Sequence, residues 1–140
     1  MTGSICIGCI KASRSSKLAY MAVNLSNVEE AIISELKISQ DEARAFLAII
    51  KNGKMDPARI SNTLGWNDNQ RAVLAAKSLI DKGMVIEITK TEFESLHPRF
   101  AITNRYRRRC DEDGIPFKKN LKVDNIGIVL EKPYEDARTK

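Results

Sequence analysis

Between Asn67 and Ser78 the chain sets out side chains suited to reading nucleobases: Asn67, Asn69, Gln70, Arg71, Leu74, Lys77 and Ser78. An arginine fork spans guanine O6 and N7, an Asn or Gln amide spans adenine N6 and N7, and an apolar tip meets a thymine methyl. Wound at about 100° per residue, Gln70, Arg71, Leu74, Lys77, Ser78 and Asp81 share one side of a helix. Ala72, Val73, Ala76, Leu79 and Ile80 share the other and must face a core. Any solvated helix face carries similar residues, and Asp68 and Asp81 are ill suited to phosphate. Residue types alone do not make this a binding face.

A second set suits phosphate. Lys90, Arg99, Arg105, Arg107 and Arg108 could grip a nucleic-acid backbone, the last three lying in a basic run with Arg109 and with Tyr106 interleaved. The competing reading pairs these arginines with Asp111, Glu112 and Asp113 on one solvated helix. Other chemistry finds little support. Cys6 and Cys9 form a C-x-x-C, but zinc needs four ligands and only His97 and Cys110 remain to complete them. No metal and no cofactor is expected, His97 reads as a loop residue, and Cys110 as a small packing residue. There is no Ser/His/Asp or Cys/His set, paired-carboxylate motif or phosphate-cradling glycine loop, so an enzyme is not expected.

The elements that position these residues are punctuated clearly. Asp56 is placed to cap a helix with Pro57 at its first position, and that helix stops at Leu64-Gly65. Asn67 then offers a second cap with Gln70 as its box partner, and Gly83 ends the second helix. Met84–Lys90 follows as a strand with Met84, Ile86 and Ile88 on one face. A loop, Thr91–Pro98, leads to a second strand in RFAI, with Phe100 and Ile102 on one face. The loop holds Glu92, Phe93, Glu94 and Leu96, an acidic and partly apolar stretch. Helix, turn, helix and two-stranded wing make a winged helix-turn-helix. Upstream, Ser26 with Glu29 and Ser39 with Glu42 read as two capping boxes. The second opens a helix with Ala43, Phe46, Leu47 and Ile50 at helical spacing, the expected spine of the core, which Asn52-Gly53 closes. Thr103 or Asn104 is expected to cap a short helix, NRYRRRCDED.

LKISQDEARAFLAIIKNG, ARISNTLG and AAKSLIDKGMVIEI together resemble the DNA-binding domain of the archaeal TrmB-type transcriptional regulators, and MarR-like winged helices more distantly. The resemblance rests on Leu36, Glu42, Ala43, Arg44, Phe46 and Leu47 in the first stretch. It rests on Ser78, Leu79, Lys82, Gly83, Met84 and Val85 in the last, and covers Leu36–Ile102. It implies a winged-helix fold and double-stranded DNA as partner. Two departures stand out. The turn Gly65–Arg71 is one residue longer than the family pattern and lacks its Pro-Arg-Ser-Lys type of start. The chain also has no room for a large C-terminal sugar-binding domain, so the family's sugar response is not carried over and no small-molecule effector is evident.

The totals agree with this class. A chain of 140 residues with 43% hydrophobic content supports one modest core. A net charge of +5, from 23 Lys+Arg against 18 Asp+Glu, favours polyanionic partners. No apolar run reaches membrane-spanning length, no secretory signal pattern opens the chain, and an odd number of cysteines, three, indicates no disulfide framework. The cytoplasm is the expected compartment. The expected organisation is a flexible leader over 1–24, with Met21 as a possible natural start, a winged helix-turn-helix domain over 25–113, and a connector with a C-terminal amphipathic helix over 114–140. The fold class is thus mainly α with a small antiparallel β wing and a C-terminal helix. In that last helix Ile126, Val129, Leu130, Tyr134 and Ala137 form a stripe that must be buried, on its own domain or on a second copy. The second copy is preferred, so truncation after Gly114 is expected to leave a folded monomer. The function expected is sequence-specific DNA binding by a homodimeric transcription regulator. A protein-interaction winged helix and a non-specific architectural DNA binder are the alternatives.

Overall fold

The computed structural model describes Asn24 and residues 26–139. All of the expected leader but Asn24, with its Cys6–Cys9 pair, therefore lies outside the described residues. Six helices and one two-stranded antiparallel sheet are found among the described residues. None of those helices is long and apolar enough to cross a membrane.

Helix α1 (Val28–Leu36) starts without a capping box. Ser26 instead gives both its N–H and its hydroxyl to the Asn24 side-chain oxygen, at 2.9 and 2.6 Å, so the expected Ser26–Glu29 exchange does not form. A short amide side chain two residues back competes well for such groups. Helix α2 (Gln40–Asn52) does carry its box: Ser39 Oγ accepts from Glu42 N, and Glu42 accepts from Ser39 N. Ala43, Ala45, Phe46, Leu47, Ala48, Ile49 and Ile50 are all buried, which makes α2 the spine of the core.

Helix α3 (Pro57–Leu64) begins as expected, with Asp56 accepting from Arg59 N at 2.8 Å. Helix α4 (Asn69–Asp81) does not. Its cap is Asp68, which accepts from Gln70 N and Arg71 N at 3.0 and 3.2 Å, while Asn67 sits in the turn at φ +55. Ser61 Oγ accepts the Asp68 N–H at 2.9 Å and fixes the turn one residue further on. There the carboxylate meets the positive end of the helix. Gly83 ends α4 at φ +81, with Gly83 N bonded to Ile80 O and Met84 N to Leu79 O. This double closure needs a left-handed residue, which glycine supplies without strain.

The hairpin pairs β1 (Val85–Glu87) with β2 (Phe93–Ser95), in register Val85↔Ser95, Ile86↔Glu94 and Glu87↔Phe93. Two expectations fail here. Val85 faces inward while Ile86 and Ile88 are exposed; Met84 is buried because the glycine turn directs it into the core before the strand begins. RFAI is not the second strand. Pro98 instead opens α5 (Pro98–Asp113), with His97 Nδ1 accepting from Arg99 N at 3.2 Å, so neither Thr103 nor Asn104 is a cap. Proline is as suited to a first helical turn as to a strand end. Met55, in the connection between α2 and α3, joins the far side of β2 by two backbone bonds with Phe93, at 3.0 and 2.8 Å.

Helix α6 (Leu121–Arg138) is capped by Asn120 and runs on through Pro133. It packs against α5, α2 and α1. The expected dimer stripe is used inside the chain: Ile126 and Leu130 are fully buried, and Val129, Tyr134 and Ala137 are half-buried. Val123, Ile126 and Leu130 belong to the same core as α2, so a chain cut after Gly114 would lose core rather than an appendage. At Gly127 a side chain would stand 3.4 Å from the Arg99 backbone, which is how closely α5 and α6 approach. At its end Arg138 donates to Ile50 O, Ile49 O and Tyr134 O and pairs with Glu94 of the hairpin.

Candidate nucleic-acid interface

Ala72, Ala75, Ala76 and Leu79 hold α4 on the core, with Val73 and Ile80 half-buried. Gln70, Leu74, Lys77 and Asp81 point outward, and Leu74 at their centre is 62% exposed. The exposed Asn67 and Asn69 join them at the start of the helix. Arg71 and Ser78 lie on the flank facing α2. Arg71 donates to Asp41 through Nε at 2.8 Å and Nη2 at 2.7 Å, and its Cζ stands 4.3 Å from the centre of the Trp66 ring. The hydrogen bonds from Arg71 hold the Asp41 carboxyl below its usual range, against a smaller opposing effect of burial.

Ser78 is tied into a polar cluster. Its hydroxyl donates to Glu42 Oε2, which also takes Lys82 Nζ at 2.7 Å; Ser39 N donates to Glu42 Oε1 at 2.8 Å. Burial pushes the Glu42 carboxyl up, but the bonds from Lys82, Ser78 and Ser39, with the Lys82 charge, outweigh it and hold the group below its usual value. The Ser78 hydroxyl therefore serves α2–α4 packing. Neither Asp41 nor Glu42 stood out in the sequence as a partner of α4. The only signal was their place in the first turn of α2, which also explains them as helix-dipole partners.

The basic set does not form one patch. Arg105 is 3% exposed and is no phosphate contact: it donates to Leu36 O at 2.8 Å, Lys37 O at 3.1 Å and Glu112 at 3.0 Å, closing the end of α1. Its position beside the unpaired carbonyls of α1 gives a long cation a complete set of acceptors. Arg109 pairs with Asp113 at 3.1 Å, as the competing reading of the run expected. Arg107 is exposed over Phe117, and Arg108 donates to Asp81 O at the far end of α4. Arg99 pairs with Glu131 at 3.2 Å, and Lys90 is exposed between the strands.

His97, expected in a loop, caps α5 and packs its ring against Phe100 and Tyr134. One ligand atom from each of His97, Glu131 and Glu135 lies within 4.8 Å of the others. The Nδ1 lone pair already accepts from Arg99 N, which leaves the proton of a neutral ring on Nε2, 3.6 Å from Glu131. That arrangement suits a helix cap beside a carboxylate better than a metal. Cys110 is fully buried in the core. Comparison with protein-family models, with curated proteins and with solved structures finds no match.

Proposed function

We propose that this chain is a sequence-specific double-stranded DNA-binding transcription regulator of the winged helix-turn-helix type, acting in the cytoplasm as a homodimer. One observation carries the reading. The start of α4 presents Asn67, Asn69 and Gln70 to solvent beside an Arg71 that is fixed in place, and a second helix docks its first residues against base edges in the major groove. The element order α2–α3–α4–hairpin, with Met55 flanking the hairpin as a third extended segment, supports the winged-helix assignment, as does the resemblance to TrmB-type regulators. Binding itself is the mechanism, with no catalytic step or cofactor. Since the α6 stripe is occupied, the dimer uses the outward faces of α5 and α6, where Phe100, Leu121 and Ile128 are exposed.

A protein-contact function is the second reading. Leu74, Ile86 and Ile88 are exposed, and Lys77, Ile80, Asp81 and Glu87 line a shallow pocket between α4 and the hairpin, an apolar surface of mixed charge that suits a protein partner. Gel-shift titration of the full chain on selected and random duplexes at two salt concentrations separates these readings. A sequence-specific regulator binds the selected duplex more tightly at both. An architectural binder treats all duplexes alike and follows salt alone. A chain bound by no duplex at low salt belongs to the protein-contact reading.

A further inference from the structure

A guanidinium carries five N–H donors in one plane. Asp41 takes two of them from the side, the Nε proton and one on Nη2, and Trp66 stacks against the face. The terminal edge, formed by Nη1 and the outer Nη2 proton, has no hydrogen-bond partner among the described residues, and the Arg71 side chain is 43% exposed. Two parallel donors at that spacing match guanine N7 and O6 together.

We infer that Asp41 is a positioning residue that makes Arg71 a guanine reader, although it lies on α2 and outside the helix that would enter the groove. The inference rests on the DNA-binding reading above. A free arginine loses rotamer freedom when it docks; this one is already held, and the edge it offers is set by its partner. The same carboxylate repels phosphate. Removing its charge therefore acts in opposite directions on the two kinds of binding, lowering base preference while leaving random-sequence affinity equal or higher. A merely structural contact would not separate them.

The test uses the full chain as wild type, Asp41→Asn and Arg71→Lys, each carried through selection from randomised duplexes. Each is then titrated on the selected duplex and on a copy with the preferred guanine changed to adenine. Asp41→Asn is nearly isosteric at an exposed position, and melting curves verify that it folds. Wild type is expected to favour guanine at one position of the site by roughly five- to a hundredfold. Asp41→Asn and Arg71→Lys should each lose most of that preference, with random-duplex binding retained. A preference unchanged in Asp41→Asn overturns the inference alone. A preference that grows makes Asp41 a competitor of the base and also overturns it. Failure of wild type to select any duplex overturns the inference together with the reading beneath it.

Discussion

Replacing Arg105 with Met keeps the apolar stem and removes the three hydrogen bonds to Leu36 O, Lys37 O and Glu112. The two carbonyl bonds come from a charged donor, worth about 1.5–3 kcal/mol each when lost. Lys37 lies at the surface, so water can replace the second bond in part. The Leu36 bond is buried, and its acceptor is left unpaired. The expected loss is about 3 kcal/mol, a large share of the roughly 5–15 kcal/mol that stabilises a domain. Urea unfolding followed by circular dichroism should show the midpoint falling by roughly 1–3 M at an unchanged slope. Arg107→Met, removing an exposed neighbour with no acidic partner among the described residues, serves as the control and should stay within about 0.5 kcal/mol of wild type. A loss below about 1 kcal/mol for Arg105→Met, with weaker binding to every duplex, would show that this side chain leaves α1 to meet phosphate and would refute the argument.

Two further outcomes follow from the same contacts. Because the Glu42 carboxyl is held below its ordinary value of 4.5, the unfolded chain takes up its proton first. The stabilisation is present above that value and is lost as pH falls through the folded value. Glu42→Gln should accordingly make stability less steep below about pH 4.5 in urea titrations at several pH values, while the part due to Asp41 and Asp113, whose carboxyls are also lowered, persists; an unchanged slope contradicts it. For the dimer, Phe100→Glu with Ile128→Glu should halve the mass seen by light scattering and leave the melting temperature nearly unchanged, and a monomeric wild type would exclude the interface.

Local punctuation was readable from sequence in part, since the Ser26–Glu29 box yields to Asn24, the Asn67 cap to Asp68, and His97 caps α5 in place of Thr103 or Asn104. The Ser39–Glu42 box, the Asp56-Pro57 start and the glycine at 83 each form within one turn of the chain. Readings failed where the deciding partner was elsewhere. Arg105 carries the same charge as Arg107, and only the end of α1 distinguishes a buried tie from an exposed cation. The period-two spacing of Phe100 and Ile102 fits a strand, yet Pro98 and the His97 cap turn the same residues into a helix start, with Phe100 left in solvent. The α6 stripe was visible, but whether it met its own chain or another was a tertiary matter. At the site, the residue types on α4 were legible. The commitment of Arg71 to Asp41, 30 positions away in sequence, was not.

The Arg138 anchor fixes an order of events during synthesis. It joins the last turn of α6 to the last turn of α2 and to the hairpin, and α6 also packs against α2. Roughly 70 residues separate the end of α2 from the start of α6, which is about 4–14 seconds at ordinary rates of translation. Throughout that interval the helix that forms the spine of the core is already made and lacks one of its walls. Contacts this distant in sequence close late and slowly, so the face of α2 that α6 covers stays open until α6 has been made and docks.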